Sequence, residues 1–184
     1  MCHSGVDRKG PAMKKLLVLL ITSIMAMDIS TVMVFSAGDV DSEDSEIFAG
    51  KLPVGYRDWK LISVAHEEGN LNDLRAVLGN DITIQAYRQG QLPFPDGAII
   101  ARLAWKYVPS EENNKVFGRT QSFVAGPPTN VQFMVKDKKR YGSMGGWGFA
   151  QFNDGKPANI VVNDCFSCHV PVKDRDFIFT RYAP

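Results

Sequence analysis

The sequence is poor in cysteine and histidine. Only three of each occur among 184 residues, which excludes a disulfide framework as the source of stability and leaves few ligands for a zinc site. The sequence also has no excess of either charge, with a formal net charge of +1. We therefore expect no nucleic-acid partner, because binding to a phosphate backbone needs a concentrated positive field.

A long apolar run is also missing. The longest run covers residues 16–27, and Asp28 interrupts it, whereas a membrane-spanning helix needs about 20 predominantly apolar residues. We therefore expect no stable membrane span in the mature protein.

The N-terminal segment has the three parts of a secretory signal peptide. Two lysines precede the apolar run, and the small residues Ala37 and Gly38 follow it. We predict a signal peptide over residues 1–37, with a start at Met13 and cleavage near Ala37 or Gly38. The mature protein is then periplasmic; an uncleaved membrane anchor is the alternative.

The rest of the sequence reads as a linker followed by one folded domain. Residues 38–55 include an acidic, serine-rich stretch, which predicts a linker. Residues 56–184 are enough for one hydrophobic core and leave little room for two. Because the hydrophobic content is 45% and the charged content 22%, we expect a globular domain.

Alternation of apolar and polar residues predicts several β-strands. The clearest covers residues 98–108, where large apolar side chains lie on one face and Arg102 and Lys106 share the other. Residues 56–64 read as a helix end that runs into a first strand. Further strands are predicted over residues 119–124, 131–135 and 145–152.

Capping residues and closing glycines predict short helices between these strands. The predicted helices cover residues 70–79, 80–90 and 158–169. The remaining segments are predicted as a turn at residues 66–69, a polar loop at 110–115 and a solvated basic segment at 136–143. Together these elements predict an α+β fold with a predominantly antiparallel sheet and a few short helices.

The C-terminal part contains the sequence CFSCH, in which Cys165 and Cys168 are followed at once by His169. Two thiols three residues apart can add to the vinyl groups of a haem while the histidine binds its iron. We therefore predict one covalently bound haem c per chain, held by a C-terminal attachment helix. The predicted signal peptide agrees with this, because such haems are attached outside the bacterial cytoplasm.

Other uses of these residues explain less. A redox dithiol normally opens a helix after a strand of a βαβ unit, and the sequence shows no such pattern. A structural zinc site needs four ligands. After the leader is removed, the chain has no further cysteine and only one further histidine, His66. A disulfide between the two cysteines would leave His169 unexplained.

The sixth coordination position of the haem iron decides between electron transfer and ligand chemistry. Met134, Met144 and His66 are the residues of the mature chain that could fill it. If it is vacant, the iron can bind a small molecule. The strand face that carries Arg102 and Lys106 then either lines the haem pocket or faces solvent.

The haem motif and several upstream segments together resemble the cytochrome P-460 family. The resemblance runs from about residue 56 to the C-terminus, and the combination is more specific than the haem motif alone. Its upstream and terminal segments are FPDG at 94–97, LAWK at 103–106, VQFMVKD at 131–137, GGWGF at 145–149 and DFIFT at 176–180.

The resemblance implies a homodimer with a predominantly antiparallel fold and a five-coordinate c-type haem. Characterised members oxidise hydroxylamine, and in them a lysine is linked covalently to the haem edge. Lys106 is the leading candidate for this lysine, with Lys115 and Lys136 as alternatives. Arg102 cannot form the same amine link and is a candidate pocket cation.

Three functions are compatible with these features. The first is oxidation of hydroxylamine or nitric oxide, with electrons passed to an electron-accepting cytochrome. The second is binding of nitric oxide or carbon monoxide without turnover, as in the related cytochrome c prime-beta. The third is simple electron transfer. The expected partners are therefore a small nitrogenous ligand or substrate, an acceptor cytochrome and a second copy of the chain.

Overall fold

The computed structural model of the protein describes Ile47, Phe48 and residues 50–183. The predicted signal peptide over residues 1–37 and the acidic stretch after it, residues 39–46, lie outside the described residues. Ile47, which falls in the predicted linker, is buried in the core. Among the described residues, no helix has the length and apolar character needed to cross a membrane.

One antiparallel sheet of six strands forms the body of the domain. Each strand pairs with its neighbour in the sequence, so the order across the sheet is β1 to β6. This arrangement confirms the predicted α+β fold and its antiparallel sheet. The strands are β1 Lys60–Glu67, β2 Asp73–Gly79, β3 Ile99–Pro109, β4 Phe123–Lys136, β5 Trp147–Asn153 and β6 Lys156–Pro157.

Short helices fill the connections and the C-terminal region. The α-helices are α1 Asp81–Gln89, α2 Glu111–Phe117 and α3 Val162–His169. Short 3-10 segments cover Tyr56–Asp58, Gly142–Met144 and Val170–Arg175, the last with a kink at Val172. The predicted helices at residues 80–90 and 158–169 are confirmed, although α3 begins four residues later than expected. The predicted strand at residues 98–108 is confirmed as β3.

The two faces of the sheet pack against different parts of the chain. Residues opposite each other in neighbouring strands share a face, and the row formed by Ile100, Met134 and Phe149 lies on the face that contacts α1 and α3. We call this the helix face. The opposite face carries Ile99 and Phe133 and packs against the N-terminal residues of the domain.

The capping residue Asn80 ties α1 to β3. Its side-chain oxygen accepts hydrogen bonds from the backbone N–H and the hydroxyl of Thr83 and from the N–H of Ile99. Its amide donates to the carbonyl of Gly97. All four bonds are buried, so this asparagine serves as both a helix cap and a link between helix and sheet.

The segment predicted as a helix over residues 70–79 is instead strand β2, and that prediction was wrong. Leu74, Val77 and Leu78 have helical spacing, but a strand covered on both faces can bury neighbouring apolar residues equally well. Val77 packs on the helix face and Leu78 on the opposite face. The predicted turn at residues 66–69 was placed too early, because β1 continues to Glu67.

The region between β3 and β4 also differs from the prediction. Residues predicted as a polar loop form α2, which Ser110 caps at the N-terminus and Gly118 closes in a left-handed conformation. The two strands predicted over residues 119–124 and 131–135 are one continuous strand, β4. The prolines at 127 and 128 fit because the pairing with β3 shifts register near Trp105.

Replacing Asn80 by alanine should lower the free energy of unfolding by about 2–3 kcal/mol, because the cap is lost and buried donors are left without an acceptor. Equilibrium urea unfolding measures this. Ser110→Ala is the matched control, since Ser110 caps the exposed helix α2 through a single long bond of 3.4 Å. An equal, small loss in both variants would contradict the role given to Asn80.

Candidate functional site

Helix α3 presents the CFSCH motif at its C-terminal end. Cys165 and His169 lie four residues apart and therefore on the same side of the helix, with Cys168 beside them. Cys165 is half-buried against the core of the helix face, Cys168 is exposed, and both thiols are free. Burial raises the pKa of the Cys165 thiol.

The imidazole of His169 is held in one tautomer. Its Nδ1 lies 2.7 Å from the backbone carbonyl oxygen of Phe177, and because a carbonyl can only accept, Nδ1 must carry the proton. Burial lowers the pKa of His169, and the bond to Phe177 opposes this to a smaller extent. The ring is therefore neutral near pH 7, and its Nε2 has a lone pair available for a metal.

Aromatic side chains flank this imidazole. Phe149 of β5 and Phe179 of the C-terminal segment lie with ring centroids 5.3 and 5.1 Å from that of His169. Phe166 of α3 contacts Phe177 at 5.4 Å. Phe149 and Phe179 limit the directions in which the imidazole can turn.

The carbonyl that holds His169 belongs to an unusual stretch of backbone. Asp176 and Phe177 have φ values of 53° and 65°, a left-handed conformation that is uncommon for residues other than glycine. Such residues cost about 1–3 kcal/mol each and persist only where the surrounding structure determines them. The stretch must therefore be held by other contacts.

A buried ion pair supplies those contacts. The Nζ atom of Lys136 lies 2.7 and 2.8 Å from the two carboxylate oxygens of Asp176, and the backbone N–H of Phe94 donates to the same carboxylate at 2.7 Å. The side chains of Lys136 and Asp176 are 1% and 7% exposed. The backbone carbonyl of Asp176 accepts from the indole N–H of Trp147 at 2.9 Å.

Lys136 corrects the prediction of a solvated basic segment over residues 136–143. Its ammonium also donates to the carbonyl of Gly145 and lies 4.8 Å from the centre of the Trp147 ring. By composition alone, Lys136 resembles the basic residues that follow it in the sequence. The sequence signal that could have separated it is its position directly after the apolar strand predicted over residues 131–135, which in the structure continues through Lys136.

Gly145 makes room for the Phe177 ring. A Cβ atom placed on Gly145 would lie 2.1 Å from Cε2 of Phe177, and the φ of Gly145 is +64°. Only glycine meets both conditions without strain. Gly145, which reads as part of a strand in the sequence, therefore serves to admit a ring.

Arg102 and Lys106 share one face of β3, as predicted, and the strand register places both on the helix face. Arg102 is half-buried, donates to Asn130 and Gln132 of β4 at 3.0 Å each, and forms an ion pair with Asp73 of β2. Its Nε atom is buried and has no hydrogen-bond partner. This burial lowers the pKa of Arg102. Lys106, in contrast to the half-buried Arg102, is exposed to solvent.

The carboxylates of the sheet are already paired with arginine. The six strands contain only Glu67 and Asp73 as acidic residues. Glu67 lies 2.6 Å from Arg75, and Asp73 pairs with both Arg75 and Arg102. Gln132 lies opposite Arg102 in the neighbouring strand, and Gln151 lies opposite Gln132 in the next. The side-chain amides of these two glutamines are hydrogen-bonded to each other at 2.6 Å.

The three candidates for a sixth iron ligand, His66, Met134 and Met144, lie in different places. His66 lies on the opposite face, where it stacks on Tyr107 with a centroid distance of 3.7 Å. Met134 lies on the helix face, opposite Phe149 in the register, and Met144 lies in a 3-10 turn. Of the lysine alternatives, Lys136 is buried in the ion pair and Lys115 is exposed on α2.

The other uses of the motif receive no support from the surrounding residues. In the part of the chain that the structure describes, no group of three or more histidine, cysteine or acidic side chains is arranged to hold a metal ion. Helix α3 follows an antiparallel strand, so the cysteines do not open the helix of a βαβ unit.

Comparison with known families gives a match over most of the chain. The model of the family described as Cytochrome P460 matches residues 53–180, a range that contains all six strands, α3 and the C-terminal segment through Phe179. No curated protein sequence matches the chain.

Gly145→Ala should destabilise the protein by about 1–3 kcal/mol, because the added methyl group overlaps the Phe177 ring at a backbone conformation that disfavours side chains. Urea unfolding measures the loss. Gly142→Ala, three residues earlier, is the matched control, because a Cβ there meets nothing within 4 Å. Equal stability of the two variants would refute the requirement for glycine at 145.

Proposed function

The chain belongs to the cytochrome P460 family, and from this premise we propose that it is an exported c-type haem protein that oxidises hydroxylamine or nitric oxide. Family membership implies a haem cofactor. The proposed reaction takes place in the periplasm, and the electrons pass to an acceptor cytochrome. The observation that carries the proposal is the fixed tautomer of His169 beside the two cysteines of α3.

The residues of the site fit a covalently attached haem. His169 would bind the iron through Nε2, because Nδ1 is committed to the Phe177 carbonyl. The thiols of Cys165 and Cys168 would each add across one vinyl group, with the thiol hydrogen going to the vinyl carbon and a thioether forming at sulfur. The single CxxCH motif in the sequence corresponds to one haem per chain.

The remaining residues prepare the site for this group. When bound, haem supplies an iron centre that exchanges single electrons and binds small nitrogenous molecules. Phe149 and Phe179 contact the imidazole and cover part of its surface. The carbonyl of Phe177 makes the imidazole a stronger electron donor, as hydrogen-bonded metal ligands generally are.

The two cations of β3 have different proposed roles. Arg102 is held by side chains of the two neighbouring strands and has a buried Nε without a partner, which supports a role as the cation that pairs with a haem propionate or a bound anion. Lys106 is on the same face and is exposed, and it carries the amine that such a link needs. We assign the proposed covalent link to the haem edge to Lys106.

The homodimer is proposed on the basis of exposed apolar residues near α2. Val116 is 80% exposed and Phe117 53%, and Phe123 and Val124 at the start of β4 are also exposed. Large apolar side chains clustered on a surface are typical of a protein–protein interface. A second copy of the chain is the proposed occupant.

Binding of nitric oxide or carbon monoxide without turnover is the second candidate function. Oxidation of hydroxylamine releases protons, and a base in the pocket assists their removal. The two carboxylates of the sheet are both paired with arginine. The residues that follow Arg102 across the neighbouring strands, Gln132 and Gln151, carry amides, which are not bases. This shortage of free bases in the six strands is the observation that supports the second candidate.

Protein exported in a host with cytochrome c maturation machinery should carry one covalent haem. Intact mass and the pyridine haemochrome spectrum measure this. Cys165→Ala and Cys168→Ala should each lose a thioether and so shift the haemochrome band, and His169→Ala should change the iron spectrum. Ser167→Ala, between the cysteines, is the control and should load normally. A wild-type protein without covalent haem would remove the proposal.

Hydroxylamine consumption with an artificial electron acceptor separates the candidate functions. Turnover above that of free haem supports the enzyme, and Lys106→Met should then lower it and alter the absorption spectrum, whereas Lys115→Met on exposed α2 should not. Tight nitric oxide binding without turnover supports the second function. A six-coordinate, low-spin resting iron would contradict both and indicate an electron carrier, with Met134 as the ligand to test.

A further inference from the structure

The hydrogen bond between His169 and Phe177 depends on a backbone conformation that the local sequence does not favour. Phe177 has no side-chain group that stabilises the left-handed conformation, whereas asparagine and aspartate tolerate it. The carbonyl of Phe177 is therefore aimed at Nδ1 by contacts made elsewhere, and the strongest of these fall on the preceding residue, Asp176.

We propose that the buried ion pair between Lys136 and Asp176 is a positioning device for His169, which holds the Phe177 carbonyl on Nδ1 and thereby sets how strongly Nε2 binds iron. This inference rests on the proposed function, because the iron is the partner assigned to Nε2. Lys136 and Asp176 are thus positioning residues that act through a backbone carbonyl.

The contacts of Asp176 fix it in both orientation and place. Its carboxylate receives three hydrogen bonds, two from Lys136 and one from the backbone of Phe94. Its own carbonyl receives a fourth from Trp147. Because these donors belong to β4, to the loop before β3 and to β5, a rotation of the backbone at Asp176 would break bonds to three parts of the domain.

The pair acts by orientation and not by a net electric field. The positive and negative groups are in direct contact and almost completely buried, so their fields largely cancel at a distance. The connection to His169 is instead covalent and short: Asp176 precedes Phe177, and the carbonyl of Phe177 accepts from Nδ1. Loosening the pair should therefore lengthen or misalign this one hydrogen bond.

Loss of the hydrogen bond has a defined effect on a bound iron. An imidazole whose N–H donates to a carbonyl is more basic at its other nitrogen, which stabilises ferric iron over ferrous iron. Without the bond, the bond between iron and histidine should weaken and the reduction potential should rise. Changes to residues that support metal ligands commonly alter affinity by about 10- to 100-fold.

The test uses the exported, haem-loaded protein with Lys136→Met, Asp176→Asn and the double variant Lys136→Met/Asp176→Asn. Asparagine keeps an acceptor for Phe94 and tolerates the left-handed conformation, and the double variant removes both charges, so it avoids a buried unpaired charge if a single variant fails to fold. Lys60→Met is the control, because Lys60 and Asp81 form an exposed ion pair away from the motif.

The readouts are the iron–histidine stretching band in resonance Raman spectra of the ferrous protein and the reduction potential. We expect the band to move to lower frequency in the Lys136 and Asp176 variants. We expect the potential to rise by roughly 59 mV, which corresponds to a tenfold change for a one-electron couple. Lys60→Met should change neither quantity.

Variants that lose thermal stability but keep the wild-type band and potential would overturn the inference, because the pair would then be structural only. The largest shift is expected for Lys136→Met and a smaller one for Asp176→Asn, which keeps the turn. Absence of haem from the wild-type protein is a different result, which would refute the proposed function itself and is detected before any variant is compared.

Discussion

The buried contact between Lys136 and Asp176 is the interaction on which the site depends. An unpaired charge at this depth would be strongly destabilising, and breaking a buried pair by removing one partner typically costs about 3–5 kcal/mol. Here the pair is surrounded by further donors and acceptors: the Phe94 N–H, the Gly145 carbonyl and the Trp147 ring. This makes it a satisfied network, which is the condition under which buried charges specify one structure.

The network also explains why distant parts of the sequence belong together. Phe94, Lys136, Gly145 and Asp176 come from four of the segments that carry the family resemblance, and all four meet at one point. The motif CFSCH contributes the reactive atoms, but its histidine is oriented by a residue from the last of these segments. The site is therefore a property of the whole sheet and its C-terminal segment, and not of the pentapeptide alone.

The elements predicted correctly are those that depend on residues close together in the sequence. Asn80 and Gly90 mark both ends of α1, and the alternation in residues 98–108 identifies β3, because capping and period-2 patterns are short-range signals. Val77 and Leu78 were assigned to a helix because a strand that is buried on both faces has neighbouring apolar residues, as a helix can also have. The extent of β4 through two prolines and the burial of Lys136 depend on contacts with residues dozens of positions away, which no local pattern contains.

The same distinction applies to the functional residues. Cys165, Cys168 and His169 were predicted from spacing alone, since that chemistry requires them close together in sequence. Arg102 and Lys106 were predicted to share a face, and the strand register confirms that they do. The partners that hold Arg102, namely Asp73, Asn130 and Gln132, come from two other strands and could be found only from the pairing.

A crystal structure of the exported, haem-loaded protein tests this account most directly. The account predicts that His169 binds the iron through Nε2, that its Nδ1 stays near 2.7 Å from the Phe177 carbonyl, and that Lys136 and Asp176 remain in contact beneath that turn. Iron bound to another residue, or a His169 Nδ1 turned away from Phe177 while the ion pair is intact, would contradict it.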